Sequence, residues 1–163
     1  MRVSVFFSRS NSLVSRIITL ITRGDASHAG IILSDIPEAG HELYQSLGDG
    51  FGMSTREELT RGSTRILKEI PINVDPARVL AICRARLGTP YAYLAVLGML
   101  WVQLGKWLGK RWRNPVRSVH HMFCSESVVE ILTQAGFIQF QRLDAISVSP
   151  VALESILTRA GKT

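Results

Sequence analysis

The sequence predicts an α+β fold in which an antiparallel β-sheet packs against helices. Segments with the alternation and β-branched residues of strands lie in the first half of the chain, and segments with helical periodicity dominate the second half. A chain of 163 residues, of which 46% are hydrophobic and 20% charged, has the size and composition of one compact domain. We therefore expect a single domain over residues 1–163.

The first half is predicted to contain four strands and one helix. Residues 3–7 are predicted to form the first strand, residues 28–33 and 41–47 a hairpin, and residues 64–70 a further strand. Residues 11–21 are predicted to form a helix, for which Asn11 or Ser12 can serve as N-cap. The apolar positions of this helix share one face: Leu13, Ile17, Leu20 and Ile21.

The second half is predicted to be helical. Helices are expected over residues 75–87, 91–108 and 124–136, with a short C-terminal helix after Pro150. The longest apolar run has 12 residues, Tyr91 to Val102, whereas a membrane-spanning helix needs roughly 20. This segment is therefore either a core helix or an interfacial one. No signal peptide is recognisable, so a cytoplasmic location is expected, with peripheral membrane association as the alternative.

The positive charge of the chain is concentrated in its second half. The formal net charge is +6; residues 1–81 contribute nine basic and nine acidic side chains, whereas residues 82–163 contribute ten and four. No carboxylate side chain lies between Asp75 and Glu126. An excess of this kind favours an anionic partner, such as nucleic acid, a lipid surface or a cell-wall polymer.

Cys124 is the first candidate for a catalytic residue. The motif FCSE places it at the predicted N-terminus of a helix, where unpaired N–H groups and the helix dipole are expected to lower the pKa of the thiol. The same N–H groups can hold an oxyanion while the thiolate attacks a carbonyl group. Cys83 lies among apolar residues in the middle of a predicted helix, which is typical of a structural cysteine.

His28 is the candidate base for this thiol. It begins a predicted strand with small residues on either side, which leave room for a ligand near the backbone. The hairpin turn near Pro37 is expected to place residues 45 or 46 opposite His28, so that Gln45 can orient the imidazole as the third member of a triad. His41 and Glu42 are weaker alternatives for this third role.

Five short motifs follow one another in a characteristic order. A first strand leads to SRS at residues 8–10, followed by SHAG at 27–30 and LGTPY at 87–91. FCSESV comes next at residues 123–128, and SPVAL closes the order at 149–153. In this order and spacing the chain resembles the circularly permuted papain-like amidases of the NlpC type, in their YiiX-like branch, over most of its length.

The resemblance implies a permuted papain-like fold, in which the histidine precedes the cysteine and lies on an antiparallel sheet packed against the cysteine-bearing helix. It makes Cys124 the nucleophile and His28 the base. Relatives often have Glu or His where this chain has Gln45, and a glutamine stabilises an imidazolium less than a carboxylate does. The implied function is that of a cysteine hydrolase, an amidase or peptidase that cleaves an amide, for example in peptidoglycan-type peptides, through an acyl-enzyme and without a cofactor.

Two other functions are alternatives. Some permuted relatives, the lecithin:retinol acyltransferase-like group, transfer acyl groups at membranes, and the basic, tryptophan-bearing stretch that adjoins residues 91–108 is typical of an interfacial segment. The substrate is then a lipid-derived acyl compound, and the partner an anionic membrane surface. A catalytically silent binding module is the third hypothesis, because Gln45 departs from the family pattern.

The remaining features carry weaker predictions. Ser27 and Tyr91 are candidates for binding substrate in the cleft. Nucleic-acid binding is disfavoured because no recognised motif accompanies the tryptophans and arginines. His120 and His121 have a spacing to Cys124 that zinc could use, but adjacent strand histidines point to opposite faces, and we predict no metal site.

Overall fold

A five-stranded antiparallel sheet forms the centre of the molecule. The computed structural model describes residues 1–35, 43–91, 93–113, 115 and 123–160. The strands are β1 (Arg2–Arg9), β2 (His28–Ser34), β3 (Leu43–Leu47), β4 (Gly50–Ser54) and β5 (Arg65–Ile72). They lie in the order β4-β3-β2-β1-β5, and every neighbouring pair is antiparallel. The predicted α+β class with an antiparallel sheet is confirmed.

The helices are α1 (Leu13–Thr22), α2 (Arg56–Thr60), α3 (Pro76–Ala85), α4 (Tyr93–Trp107), α5 (Cys124–Gln134) and α6 (Pro150–Ala160), with short 3₁₀ turns at Ile138–Phe140 and Ala145–Ser147. Side-chain caps determine where several of them begin. The Ser12 hydroxyl accepts a hydrogen bond from the Ser15 N–H at the start of α1, and Asp75 accepts one from the Ala77 N–H at the start of α3. No described helix has both the length and the apolar character needed to cross a bilayer.

The main core lies between one face of the sheet and helices α3, α5 and α6. Helix α5 buries the side that the sequence predicts, including Val128, Ile131 and Leu132. A smaller cluster on the opposite face of the sheet contains Phe6 and Ile32. Because side chains alternate along a strand, β2 presents Ala29 to the main core and His28 to the opposite face.

Helix α1 turns its apolar stripe outward. Leu13 and Leu20 are 73% and 71% exposed, whereas Ser15, Ile18 and Thr19 are buried. The predicted apolar residues do share a face, but that face points to solvent. Helical periodicity identifies residues that lie side by side and leaves open what covers them.

Strand β4 forms one edge of the sheet and is covered by the turn that follows α3. The Phe51 N–H donates to the Thr89 carbonyl at 2.8 Å, and the Gly88 N–H donates to the Phe51 carbonyl at 2.8 Å. Gly50 has a φ of +121°, and a Cβ there would lie 2.8 Å from the Thr89 oxygen, so this close approach requires glycine. The turn thereby anchors the chain that leads into α4 to the edge of the sheet.

Candidate functional site

A cavity of about 470 Å³ brings three predicted site residues together: His28, Ser27 and Tyr91. Its walls come from the ends of β1, β2 and β3 and from α1 and α4. The polar part of the wall is rich in serines, namely Ser8, Ser10, Ser12, Ser15, Ser27 and Ser46. The apolar part includes Val14, Ile17, Val96, Leu97 and Leu100. The cavity therefore offers a polar end beside His28 and an apolar passage between two helices.

His28 is the first member of a hydrogen-bonded series across three strands. Its Nε2 lies 2.8 Å from Gln45 Oε1, and Gln45 Nε2 donates to Ser54 Oγ at 2.7 Å. Gln45 is 1% exposed, so its amide depends on these protein partners. The structure thus places Gln45, the preferred candidate for the third role, against His28. His41 and Glu42, the alternatives, lie outside the described residues.

The register that creates this contact differs from the predicted one. Gly30, not His28, lies directly opposite Gln45, and Gly52 lies opposite Gln45 on its other side. The two glycines have no side chains to bond the amide, which therefore reaches its diagonal neighbours His28 and Ser54. The face assigned to Gln45 was right and the pairing was wrong, because the observed pairs, such as Gly30 with Gln45 and Ile32 with Leu43, are offset from the predicted ones.

The hydrogen bond that His28 donates to Gln45 determines which imidazole nitrogen carries the proton. Since the amide oxygen is an acceptor, Nε2 carries the imidazole proton and Nδ1 is the basic nitrogen. Burial lowers the pKa of His28 from 6.5 to about 4, and the bond to Gln45 offsets only part of that effect. At neutral pH the imidazole is consequently uncharged and able to accept a proton at Nδ1.

Cys124 is the first residue of α5, as predicted, and the residue is 3% exposed. Burial raises the pKa of the thiol, although hydrogen bonds from the backbone N–H groups of Ala29, Ser125 and Cys124 itself act in the opposite direction. The predicted lowering of the pKa was wrong, because desolvation outweighs the helix terminus. The resting side chain is a neutral thiol.

The thiol lies close to the strand that carries the histidine. The backbone N–H of Ala29, the residue after His28, lies near enough to the sulfur to favour the thiolate. Cys124 also packs in a cluster with Ile18, Val96 and Tyr91, residues that line the cavity as well. Cys124 is therefore located behind the apolar wall of the cavity that His28 lines.

Ser54 is a site residue that the sequence analysis missed, and Glu126, two residues after Cys124, is a buried titratable group that it did not single out. Ser54 belongs to β4, a strand that was not predicted, so the sequence pattern gave no reason to expect Ser54 beside Gln45. Glu126 accepts a hydrogen bond from the Phe123 N–H at 3.2 Å, and burial raises its pKa to about 7. The only sequence signal for Glu126 is its position in the first turn of a helix, where acidic residues are common.

The other thiol and the possible metal ligands give no second site. Cys83 is buried in the main core, and burial raises its pKa to about 12, as expected of a structural cysteine. Within residues 1–35, 43–91, 93–113, 115 and 123–160, no three His, Cys, Asp or Glu side chains are grouped so as to hold a metal ion. His120 and His121 fall outside these ranges.

Helices α1 and α4 pack together and expose an apolar surface beside the cavity, which we term the α1–α4 face. It consists of Leu13, Val14, Ile17 and Leu20 on α1 and Leu94, Leu97, Trp101 and Leu104 on α4, each 39% to 73% exposed. Helix α4 is thus both a core helix, through Val96 and Met99, and a surface one. The Arg23 guanidinium lies 4.2 Å above the Trp107 ring, and Trp112 stacks on Trp101 at 4.1 Å.

Comparison with known proteins supports the fold. No family model and no curated protein matches the chain. Among solved structures, the crystal structure of metalloprotein yiiX from Escherichia coli O157:H7 superposes with a TM-score of 0.56 at 16% sequence identity. The match covers 100% of this chain and 83% of that one. The chain is similar to that protein in fold.

Proposed function

We propose that the protein is a cysteine hydrolase of the permuted papain-like kind, in which Cys124 attacks a carbonyl group, His28 moves the proton and Gln45 orients the imidazole. One observation carries the proposal. The thiol at the start of α5 lies near the backbone N–H of Ala29, the residue after His28, and that histidine lines a cavity with its Nε2 held by Gln45. Nucleophile, base and orienting group thus come from three elements that pack on one another.

The electrostatics favour proton transfer during attack over a preformed ion pair. Burial disfavours both the thiolate and the imidazolium, so the resting pair is neutral. When the sulfur approaches a carbonyl carbon, His28 Nδ1 takes the thiol proton and the new C–S bond forms. The carbonyl oxygen becomes an oxyanion, which the N–H of Cys124 helps to hold.

Release follows from the same groups. The imidazolium gives its proton to the leaving nitrogen or oxygen, and the C–N or C–O bond breaks to leave a thioester on Cys124. Water then attacks the thioester while His28 Nδ1 takes one of its protons. The acid departs and the proton returns to the sulfur.

The similar structure, yiiX, is described as a metalloprotein. The described residues of this chain do not provide a metal site, and no step is assigned to a metal.

Competitive labelling of the two cysteines tests this proposal. A mechanism-based electrophile, such as a peptide vinyl sulfone, is expected to modify Cys124 and leave Cys83 unmodified in the folded protein. Cys124→Ala and His28→Ala should abolish hydrolysis of p-nitroanilide and p-nitrophenyl ester substrates, whereas Cys83→Ala should retain it. Equal labelling of both thiols, or activity that survives Cys124→Ala, contradicts the assignment.

A second candidate function is acyl transfer or lipid hydrolysis at a membrane, and the α1–α4 face favours it. This face is apolar, tryptophans adjoin it and it lies at the cavity mouth, where Leu97 both lines the cavity and is 62% exposed. The exposed cations Arg16, Lys106 and Lys110 lie on or beside the two helices. Such a surface is typical of proteins that bind anionic lipid interfaces.

Vesicle flotation distinguishes the two candidates. If the membrane function is correct, the protein floats with vesicles containing 30% phosphatidylglycerol at low salt, and Leu97→Asp reduces the bound fraction severalfold. Ile138→Asp is the matched control, because Ile138 is 71% exposed and lies outside the α1–α4 face. Absence of flotation at low salt, together with hydrolysis of a water-soluble amide, favours the peptide-directed hydrolase.

A further inference from the structure

The cavity beside His28 is shaped for a ligand with one polar end and one long apolar part. We infer that the substrate is an acyl ester or amide, whose hydrocarbon chain occupies the passage between α1 and α4 and whose carbonyl oxygen accepts a hydrogen bond from the Ser8 hydroxyl. As a substrate class this rests on the proposed function. As a binding site it can be tested without any reaction.

Ser8 provides the polar contact. It lies directly opposite His28 on the neighbouring strand β1, so the two side chains share a face of the sheet, and both line the cavity. Ser8 is 0% exposed, and its hydroxyl has no hydrogen-bond partner among the described residues. By contrast, the nearby hydroxyls of Ser15 and Ser27 bond to each other at 2.6 Å. Because a buried polar group without a partner is costly, the Ser8 hydroxyl indicates where a polar atom of the ligand binds.

The wall of the cavity favours an uncharged polar group. Among the described residues that line it, His28 is the one titratable side chain apart from the Tyr91 phenol, and burial keeps the imidazole neutral by lowering its pKa to about 4. A carboxylate or an ammonium group would lose its hydration there without meeting an opposite charge. An ester or amide carbonyl needs only a hydrogen-bond donor, which the Ser8 hydroxyl supplies.

The passage between the helices is aliphatic from its buried end to its mouth. Ile18 and Val96 are 5% and 8% exposed, whereas Val14 and Leu97 are both 62% exposed, so the passage opens at the α1–α4 face. These side chains cannot hydrogen-bond, and a peptide lying against them would leave its N–H and C=O groups unpaired. A hydrocarbon chain has no such groups and is stabilised by leaving water. The passage therefore favours an acyl chain over a peptide.

Binding of a homologous series tests the acyl site in the absence of catalysis. The full-length Cys124→Ser variant, which lacks the thiol, is titrated calorimetrically with the N-methyl amides of hexanoic, octanoic and decanoic acid. Each step of two methylene groups should lower the Kd about fifteenfold, the factor expected for burying both groups. At pH 7.5 decanoate should bind about tenfold or more weakly than the amide of the same chain, because its carboxylate must lose hydration.

Two pairs of substitutions in the same variant locate the bound amide. Ser8→Ala should raise the Kd about two- to tenfold, the range that one lost hydrogen bond produces, whereas Ser155→Ala should leave it unchanged. Ser155 is a suitable control because its hydroxyl bonds to the Val151 carbonyl within α6. Ile17→Asp places a charge in the passage and should raise the Kd about tenfold or more. Leu20→Asp, at a position 71% exposed on the same helix and outside the cavity wall, should have little effect.

Four results overturn the inference: a Kd independent of chain length, decanoate binding as tight as that of the amide, an unchanged Kd in Ser8→Ala, or equal effects of Ile17→Asp and Leu20→Asp. The natural protein should also hydrolyse p-nitrophenyl decanoate faster than the butanoate, either free in solution or in phosphatidylcholine vesicles. The presentation that is cleaved faster identifies whether the chain comes from solution or from a bilayer.

The two kinds of measurement separate this inference from the proposed function. Chain-length-dependent binding without hydrolysis of either ester refutes the proposed function and leaves the acyl site in place. Faster hydrolysis of the butanoate in both presentations overturns the inference and leaves the cysteine hydrolase in place.

Discussion

Replacing Gln45 by Glu tests how the third residue controls the histidine. Gln45 accepts the Nε2–H of His28 through Oε1 at 2.8 Å, and a glutamate of nearly the same shape can accept the same bond while adding a negative charge. The charge favours the imidazolium over the imidazole. We therefore expect Gln45→Glu to raise the pKa of His28 from its present value of about 4.

The magnitude follows from the distance. Opposite charges roughly 4 Å apart at an effective dielectric constant of about 20 attract by about 4 kcal/mol, equivalent to about 3 pH units. Desolvation of the new carboxylate offsets part of this, so a rise of about 1 to 3 pH units is expected. Burial raises the pKa of the thiol and lowers that of His28 to about 4, so forming the ion pair from the neutral pair is unfavourable before their mutual attraction. Gln45→Glu lowers this cost by about 1.4 to 4 kcal/mol.

The assay combines an NMR titration of His28 with the rate of Cys124 alkylation as a function of pH. The His28 midpoint should rise to about 5 to 7, and alkylation at pH 7 should accelerate about tenfold or more. Gln141→Glu adds the same charge at an exposed position outside the cavity and should change neither value. A His28 midpoint that stays within about half a pH unit of the natural protein would refute the electrostatic reasoning.

Three further predictions concern stability. The Glu126 pKa of about 7 exceeds its ordinary 4.5, so the natural protein loses stability as pH rises through 7. In urea unfolding, Glu126→Gln should be more stable than the natural protein by up to about 3 kcal/mol at pH 8 and by little at pH 4. The His28 pKa of about 4 lies below its ordinary 6.5, so the natural protein loses stability as pH falls from 6.5 toward 4. Over that interval the free energy of unfolding of His28→Gln should fall by up to about 3 kcal/mol less than that of the natural protein. Equal acid sensitivity of the two proteins contradicts this. Gly30→Ala places a Cβ 2.5 Å from the Phe6 ring and should cost about 1 to 3 kcal/mol, whereas Gly52→Ala meets nothing within 4 Å and should be nearly neutral in thermal melts.

Much of the fold could be predicted from local patterns. Alternation identifies β1, β2, β3 and β5, and periodicity with capping residues identifies the long helices. β4 was missed because its sequence GFGMS has two glycines and lacks β-branched residues, so only its pairing with β3 makes it a strand. The outward apolar face of α1 also depended on tertiary contacts that a single segment does not contain.

The candidate site could be predicted in part for similar reasons. Cys124 and His28 begin a helix and a strand, and Gln45 follows from alternation in a hairpin. Ser54 requires the register of a strand that the sequence does not reveal. The pKa of the Cys124 thiol was predicted in the wrong direction, because a helix N-terminus is visible in a sequence whereas the depth of burial that opposes it is not.

The turn that covers β4 has a consequence for association between molecules. An outermost strand with free N–H and C=O groups frays easily and can pair with the strand of another chain. Here the Gly88–Thr89 turn already occupies the main-chain N–H and C=O groups of Phe51, the second residue of β4. The sheet is thereby hindered from growing on this side, and the strand that carries Ser54 is protected from edge-to-edge aggregation. Opening this turn should therefore expose unpaired main-chain groups on β4 that can pair with another chain, and at the same time make Ser54 more mobile.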